Sequence, residues 1–175
     1  MKIINPATNQ IIKEVEADTS ETIEAKFKQA KAAQKEWAKT SLETRINALA
    51  KFRALIIENK EKLANILTSE VGKPITQSFN ELNGLLARLD FFHDNVEKVI
   101  KEELVLNDEQ NKMEEKIAHE PLGVIANISA WNYPYLVGTN VFVPALIAGN
   151  AVLYKPSEYA TLTGLHIAEM LYEAG

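Results

Sequence analysis

Cysteine is missing from this chain of 175 residues. That excludes disulfides, thiolate metal sites and a cysteine nucleophile within it. A basic excess is missing too. Nineteen Lys+Arg stand against 24 Asp+Glu, a formal net charge of −5, so nothing draws the chain toward a phosphate backbone and no nucleic-acid partner is expected. No run approaches the ~18 apolar residues of a membrane span. The start, Met1-Lys2-Ile3-Ile4-Asn5-Pro6, lacks the apolar core of a signal peptide. A cytoplasmic protein with no membrane partner is the expectation. Neither G-x-G-x-x-G nor G-x-x-x-x-G-K-[ST] occurs, so the two standard phosphate fingerprints are absent. His93, His119 and His166 lie far apart without ligand spacing, and no metal site is expected.

What is present divides sharply near residue 120. The first 120 residues hold 18 of the 19 Lys+Arg and 21 of the 24 Asp+Glu. The last 55 hold one base, Lys155, and three acids, Glu158, Glu169 and Glu173, with five of the seven glycines and four of the six prolines. A charged, glycine-poor stretch reads as solvated amphipathic helices. An apolar one punctuated by Gly and Pro reads as buried strands and tight turns.

In the first part, Ile3-Ile4 and Ile11 to Val15 flank the turn chemistry of Asn5-Pro6-Ala7-Thr8-Asn9-Gln10 and predict a hairpin. Thr19-Ser20-Glu21 opens a helix whose apolar face carries Ile23, Phe27, Ala30, Ala33 and Trp37. A second helix fits Ser41 to Glu58. A third fits Asn59 to Val71, ended by Gly72 and Pro74, and a longer fourth fits 76–100 with an interruption at Gly84. Residues 103–119 then read as a second hairpin around Asn107 to Asn111, with charged and apolar positions alternating and solvated carboxylates at Glu102-Glu103 and Glu114-Glu115.

From residue 121 the pattern becomes strand, helix, strand, helix. Gly123 to Ile128 and Ala151 to Tyr154 are the strands. Pro134 to Ala148, despite Pro144, and Thr161 to Ala174 are the helices. Near-continuous apolar strands alternating with helices predict an α/β arrangement with a parallel sheet, in which a ligand sits beyond the carboxyl ends of the strands. Two segments fall there: Ser129-Ala130-Trp131-Asn132-Tyr133-Pro134 and Lys155-Pro156-Ser157-Glu158.

Each segment admits two readings. Lys155 and Glu158 could serve a ligand's hydroxyls or phosphate, since a lone ammonium in so apolar a region needs a reason. They could equally pair with one another beside a cap at Ser157 or Thr161. Asn132 could present its amide N–H₂ to a developing oxyanion. It could equally cap the helix that Pro134 begins.

Together, Pro121-Leu122-Gly123-Val124, Trp131-Asn132-Tyr133-Pro134, Pro144-Ala145-Leu146-Ile147-Ala148-Gly149-Asn150 and Lys155-Pro156-Ser157-Glu158 resemble the nicotinamide-dependent aldehyde dehydrogenase superfamily. Asn5-Pro6-Ala7-Thr8 and Glu70-Val71-Gly72-Lys73-Pro74 agree with it. The resemblance covers the whole chain but only about the first third of a family member.

It implies an amino-terminal helical segment with its hairpin (1–102), an oligomerisation hairpin (103–119) through which the chain forms a homo-oligomer, and the first half of a Rossmann-like cofactor sheet (120–175). It implies that Asn132 stabilises the oxyanion, that Lys155 and Glu158, with Ser157 between them, hold the adenosine ribose, and that Ile128, Ser129, Ala130 and Trp131 form the loop against which the cofactor lies. Tyr133 and Val137 match positions lining the aldehyde tunnel. A carboxylate at Glu158 favours free ribose hydroxyls over a 2′-phosphate, which predicts NAD over NADP. One departure is Ala130, where the family usually has proline, leaving the loop less pre-rigidified.

The family's cysteine nucleophile, its water-activating glutamate, its glycine-rich turn and a second ribose glutamate belong to the pattern beyond Gly175. The expectation is therefore a fragment or truncated product that oxidises no aldehyde alone. The rival expectation is a non-catalytic assembly module that associates with intact subunits through the hairpin edge.

Overall fold

The structure is a computed structural model describing residues 1–175. The chain runs β1 (Lys2–Ile4), β2 (Ile11–Glu14), α1 (Ser20–Trp37), α2 (Leu42–Glu58), α3 (Lys60–Val71), α4 (Ile75–Ile100), β3 (Glu103–Asp108), β4 (Met113–Ile117), β5 (Val124–Ile128), α5 (Pro134–Ile147), β6 (Ala151–Lys155) and α6 (Thr161–Ala174). The six strands form three two-stranded sheets: antiparallel β1–β2 and β3–β4, and parallel β5–β6. No helix is long and apolar enough to cross a membrane.

Local chemistry explains the early boundaries. Asn5 closes the first turn, its side-chain oxygen accepting from Ala7 N at 2.9 Å. Thr19 and Thr22 form a reciprocal capping box at α1, and Ser41 Oγ accepts from Thr44 N at α2. Gly72, at φ +76, supplies the left-handed residue that stops α3. A side chain there would also meet Pro6 of the first hairpin at 2.9 Å.

The expected interruption at Gly84 does not occur; α4 is continuous over 26 residues. A glycine inside a helix costs about 1 kcal/mol. The apolar face of α4 buries Leu82, Leu85 and Leu89, each contributing roughly 1.5–3 kcal/mol, and outweighs that cost.

One core joins the charged helices to the apolar segment. Phe52 and Ile56 of α2, Leu63 and Leu67 of α3 and the three α4 leucines meet Tyr135, Phe142, Val143 and Ile147 of α5 and Ile167 and Met170 of α6. Phe142 sits edge-on to Phe52 at 6.4 Å and to Tyr154 of β6 at 5.6 Å, geometries aromatic pairs prefer. Helix α1 buries no residue fully but lies against β5 and β6. Its Gln34 and Trp37 donate to the carbonyls of Gly149 and Leu146, at 3.0 and 2.8 Å, where α5 runs out. The helix α5 runs through Pro144, which has no N–H to offer the carbonyl four residues back, at exposed Asn140.

Candidate functional site at the carboxyl ends of the parallel strands

Strands β5 and β6 run parallel in the register Val124↔Ala151 to Ile128↔Lys155. Ser129 N then donates to Lys155 O at 3.0 Å. Both chains therefore leave the sheet side by side, and the two loops singled out from the sequence emerge at one end. On the first loop Ile128, Ala130 and Trp131 are exposed, Ile128 to 78%. Ser129 is buried, with no hydrogen-bond partner for Oγ.

Lys155 is not the buried charge that its apolar neighbourhood suggests. Its side chain is 61% exposed, and Nζ lies 3.5 Å from Glu158 Oε2. The reason is geometric: Lys155 is the last residue of its strand, where the sheet no longer covers it. The Glu158 carboxyl is held below its usual range, first by its own backbone N–H and then by the Lys155 ammonium. Ser157 is buried and shapes the turn, its Oγ accepting from Tyr159 N at 3.3 Å. Thr161 Oγ1 donates to the carbonyls of Ser157 and Glu158. The loop is built, and its two charged groups are left facing solvent.

Beyond Trp131 the first loop passes Asn132 and Tyr133, both exposed, into α5. Asn132 is not a helix cap. The N-cap position belongs to Tyr133, and no side chain from the loop caps the helix. Instead Glu81 of α4, wholly buried, accepts from the backbone N–H of Tyr135 at 2.8 Å and of Leu136 at 3.3 Å. Lys73, between α3 and α4, pairs with the other oxygen of Glu81 at 2.5 Å and donates to the Asn132 carbonyl at 2.6 Å. Its Nζ also lies 4.1 Å from the centre of the Tyr133 ring. Tyr133 and Val137, four residues apart, project from the same face at the start of α5 and are both exposed.

Helix α6 repeats the device. Its N-cap residue, Ala160, has no polar side chain. Glu70 of α3 supplies the acceptor, taking hydrogen bonds from Leu162 N at 2.6 Å and from Thr163 N and Oγ1 at 2.9 Å. Burial pushes the Glu70 carboxyl up against the pull of those three bonds. At the amino-terminal ends of α5 and α6 a buried carboxylate thus takes two first-turn N–H groups of each helix.

Sequence reasoning brought together the two loops but passed over Glu70, Lys73 and Glu81 as site-building residues. A signal existed for the glutamates. Glu70 stands in register with buried Leu63 and Leu67 on α3, and Glu81 with buried Ser78, Leu85 and Leu89 on α4. A carboxylate on an apolar helix face needs a buried donor; that the donors are the uncapped first turns of α5 and α6 shows only in the structure.

Residues 1–175 match the model of the aldehyde dehydrogenase family. The chain is 33% identical over 175 residues to 3,6-anhydro-alpha-L-galactose dehydrogenase of Streptomyces coelicolor, covering 100% of this chain and 35% of that protein. It is 34% identical over 168 residues to a Mycobacterium ulcerans protein named putative succinate-semialdehyde dehydrogenase [NADP(+)] 2, covering 96% and 32%. The solved apo structure of an indole-3-acetaldehyde dehydrogenase superposes with a TM-score of 0.93 at 28% identity, over 100% of this chain and 40% of that one. The chain spans about a third of the length of the curated relatives it matches. Matched from end to end in sequence and in fold, the chain belongs to the aldehyde dehydrogenase family.

Proposed function

We propose that this chain carries the adenosine end of the cofactor crevice and the oxyanion donor of an NAD-dependent aldehyde dehydrogenase. It is the amino-terminal part of an enzyme that converts an aldehyde to a carboxylic acid through a cysteine that lies outside these residues. The observation that carries this reading is the convergence of Lys155, Glu158 and the 128–133 loop at one end of the β5–β6 pair.

The groups present suit a dinucleotide. Lys155 offers free N–H donors and Glu158 free acceptor oxygens, 3.5 Å apart and open to solvent, which fits the vicinal hydroxyls of a ribose. Ile128, Ala130 and Trp131 offer an apolar shelf beside them, with Ser129 buried behind it. When bound, the nicotinamide supplies a hydride acceptor. The chain's own residues orient the adenosine half. Asn132 turns its exposed amide toward the reacting carbonyl, where a fixed donor stabilises negative charge as it develops. Tyr133 and Val137 give the aldehyde an apolar wall. The ionised Glu158 disfavours a 2′-phosphate by repulsion, which supports NAD, although several relatives and several solved neighbours are named for NADP.

Titration of the ¹⁵N-labelled chain with NAD tests the proposal. Weak, saturable shifts are expected at Lys155, Glu158 and residues 128–131. NADP should shift them less, and Lys155→Met should abolish them. Shifts elsewhere, or larger shifts with NADP, would overturn the assignment.

A second reading, an assembly module, draws on hairpin β3–β4. Leu104, Val105, Leu106, Met113 and Ile117 are all exposed on it, an apolar edge suited to a second copy of the chain. The two readings are compatible if the hairpin serves the enzyme's own oligomer.

A further inference from the structure

We propose that Lys73 is a positioning residue: its ammonium ties the Asn132 loop to the buried Glu81, fixing where the Asn132 amide and the Tyr133 ring stand. The inference rests on the reading of Asn132 as the oxyanion donor and adds the group that aims it.

The geometry is a single junction. Glu81 is wholly buried, and its two oxygens divide their work. Oε1 accepts from Tyr135 N and Leu136 N, anchoring the first turn of α5. Oε2 binds Lys73 Nζ at 2.5 Å. Lys73, itself only 9% exposed along its side chain, spends a second N–H on the Asn132 carbonyl at 2.6 Å. Its remaining face lies over the Tyr133 ring at 4.1 Å, a cation–π contact.

Tyr133 is also held by its carbonyl, which accepts from Leu136 N and Val137 N, but Asn132 makes no other hydrogen bond. Asn132 and Tyr133 are exposed, no side chain of the loop caps α5, and Ala130 leaves the preceding residue free of a proline's constraint. A donor that stabilises an oxyanion acts only if it is fixed before the charge develops. In this chain the fixing contact on residue 132 is the Lys73 bond. Charge-assisted bonds in a buried junction are the strong kind. The pair is kept in register by the left-handed Gly72 and by Pro74, which set the short passage from α3 to α4 on which Lys73 stands.

The test is nuclear magnetic resonance on the chain without cofactor or aldehyde. In the unmodified chain, the Lys73 ammonium should give its own slowly exchanging ¹H–¹⁵N signal, and its Cε protons should be shifted upfield by the Tyr133 ring. Order parameters at Trp131 and Asn132 should be close to the ~0.85 of rigid backbone. Lys73→Met should drop them below about 0.6 while the amides of Phe142 and Ile167 in the core stay protected, and Lys73→Arg should restore them. A Lys73 ammonium that exchanges freely, or a 131–132 segment as rigid in Lys73→Met as in the unmodified chain, overturns the proposal. Should Lys73→Met fail to fold, the ammonium signal and ring shift of the unmodified chain decide by themselves. The NAD titration is a separate readout. A tethered loop without NAD-induced shifts sinks the cofactor reading alone, and a mobile loop with those shifts sinks the tether alone.

Discussion

Glu70 works against its setting. It sits where α3 presents Leu63 and Leu67 to the core, yet its carboxylate is what α6 needs, because Ala160 cannot cap the helix. Removing it would leave the buried N–H groups of Leu162 and Thr163 without acceptors. Glu70→Ala should therefore cost roughly 1–3 kcal/mol of stability, read as a lower urea midpoint with unchanged slope. The pH dependence has a definite sign. Burial lifts the folded carboxyl above its ordinary 4.5, so the folded chain holds that proton more tightly than the unfolded chain. The group's contribution is complete below about pH 4.5 and is lost as pH rises through the folded value. Against Glu70→Gln, which cannot ionise, the unmodified chain should lose relative stability as pH rises above about 4.5. A difference that grows in the opposite direction would refute the burial argument.

At the scale of elements, the glycines of α4 and α5 look alike in sequence and differ in space. A side chain at Gly84 would meet nothing within 4 Å, whereas one at Gly138 would press on the Tyr154 ring and hydroxyl at 2.8 to 3.1 Å. Gly138 is where α5 approaches β6. Gly84→Ala should stabilise the chain by about 0.5–1 kcal/mol through helix propensity. Gly138→Ala should destabilise it by about 1–3 kcal/mol through overpacking against a ring held between helix and strand. Thermal unfolding of the two variants should move the midpoint in opposite directions. The helices themselves were legible, because periodicity, caps and the Gly72 stop are local signals. The continuity of α4 was not, because what overrides Gly84 is the burial of leucines against other elements.

The whole molecule leaves much apolar surface uncovered. The parallel sheet has two strands and two open edges, and the β3–β4 hairpin exposes five large apolar side chains. Open edges and apolar ribbons pair with other chains. The 19.5 kDa chain should sediment as a concentration-dependent oligomer, and Val105→Lys should shift it toward the monomer. A chain that stays monomeric throughout would count against the hairpin as a contact surface. No cysteine is present to attack a carbonyl. The purified chain, its mass checked for contaminating longer enzyme, should form no NADH with any aldehyde.

The sequence by itself determined the break near residue 120, the helical and strand order on either side of it, and the two loops that carry Asn132, Lys155 and Glu158. All of these rest on composition, periodicity and turn chemistry within short spans. The tertiary structure decided which groups hold those loops. It showed Lys155 at the strand's exposed end, paired with Glu158, and it excluded Asn132 as a helix cap. It also brought Glu70 across 92 positions to Leu162 and Glu81 across 54 to Tyr135. Those bonds join residues far apart along the chain, and only the packing of α3 and α4 against α5 and α6 brings them within reach.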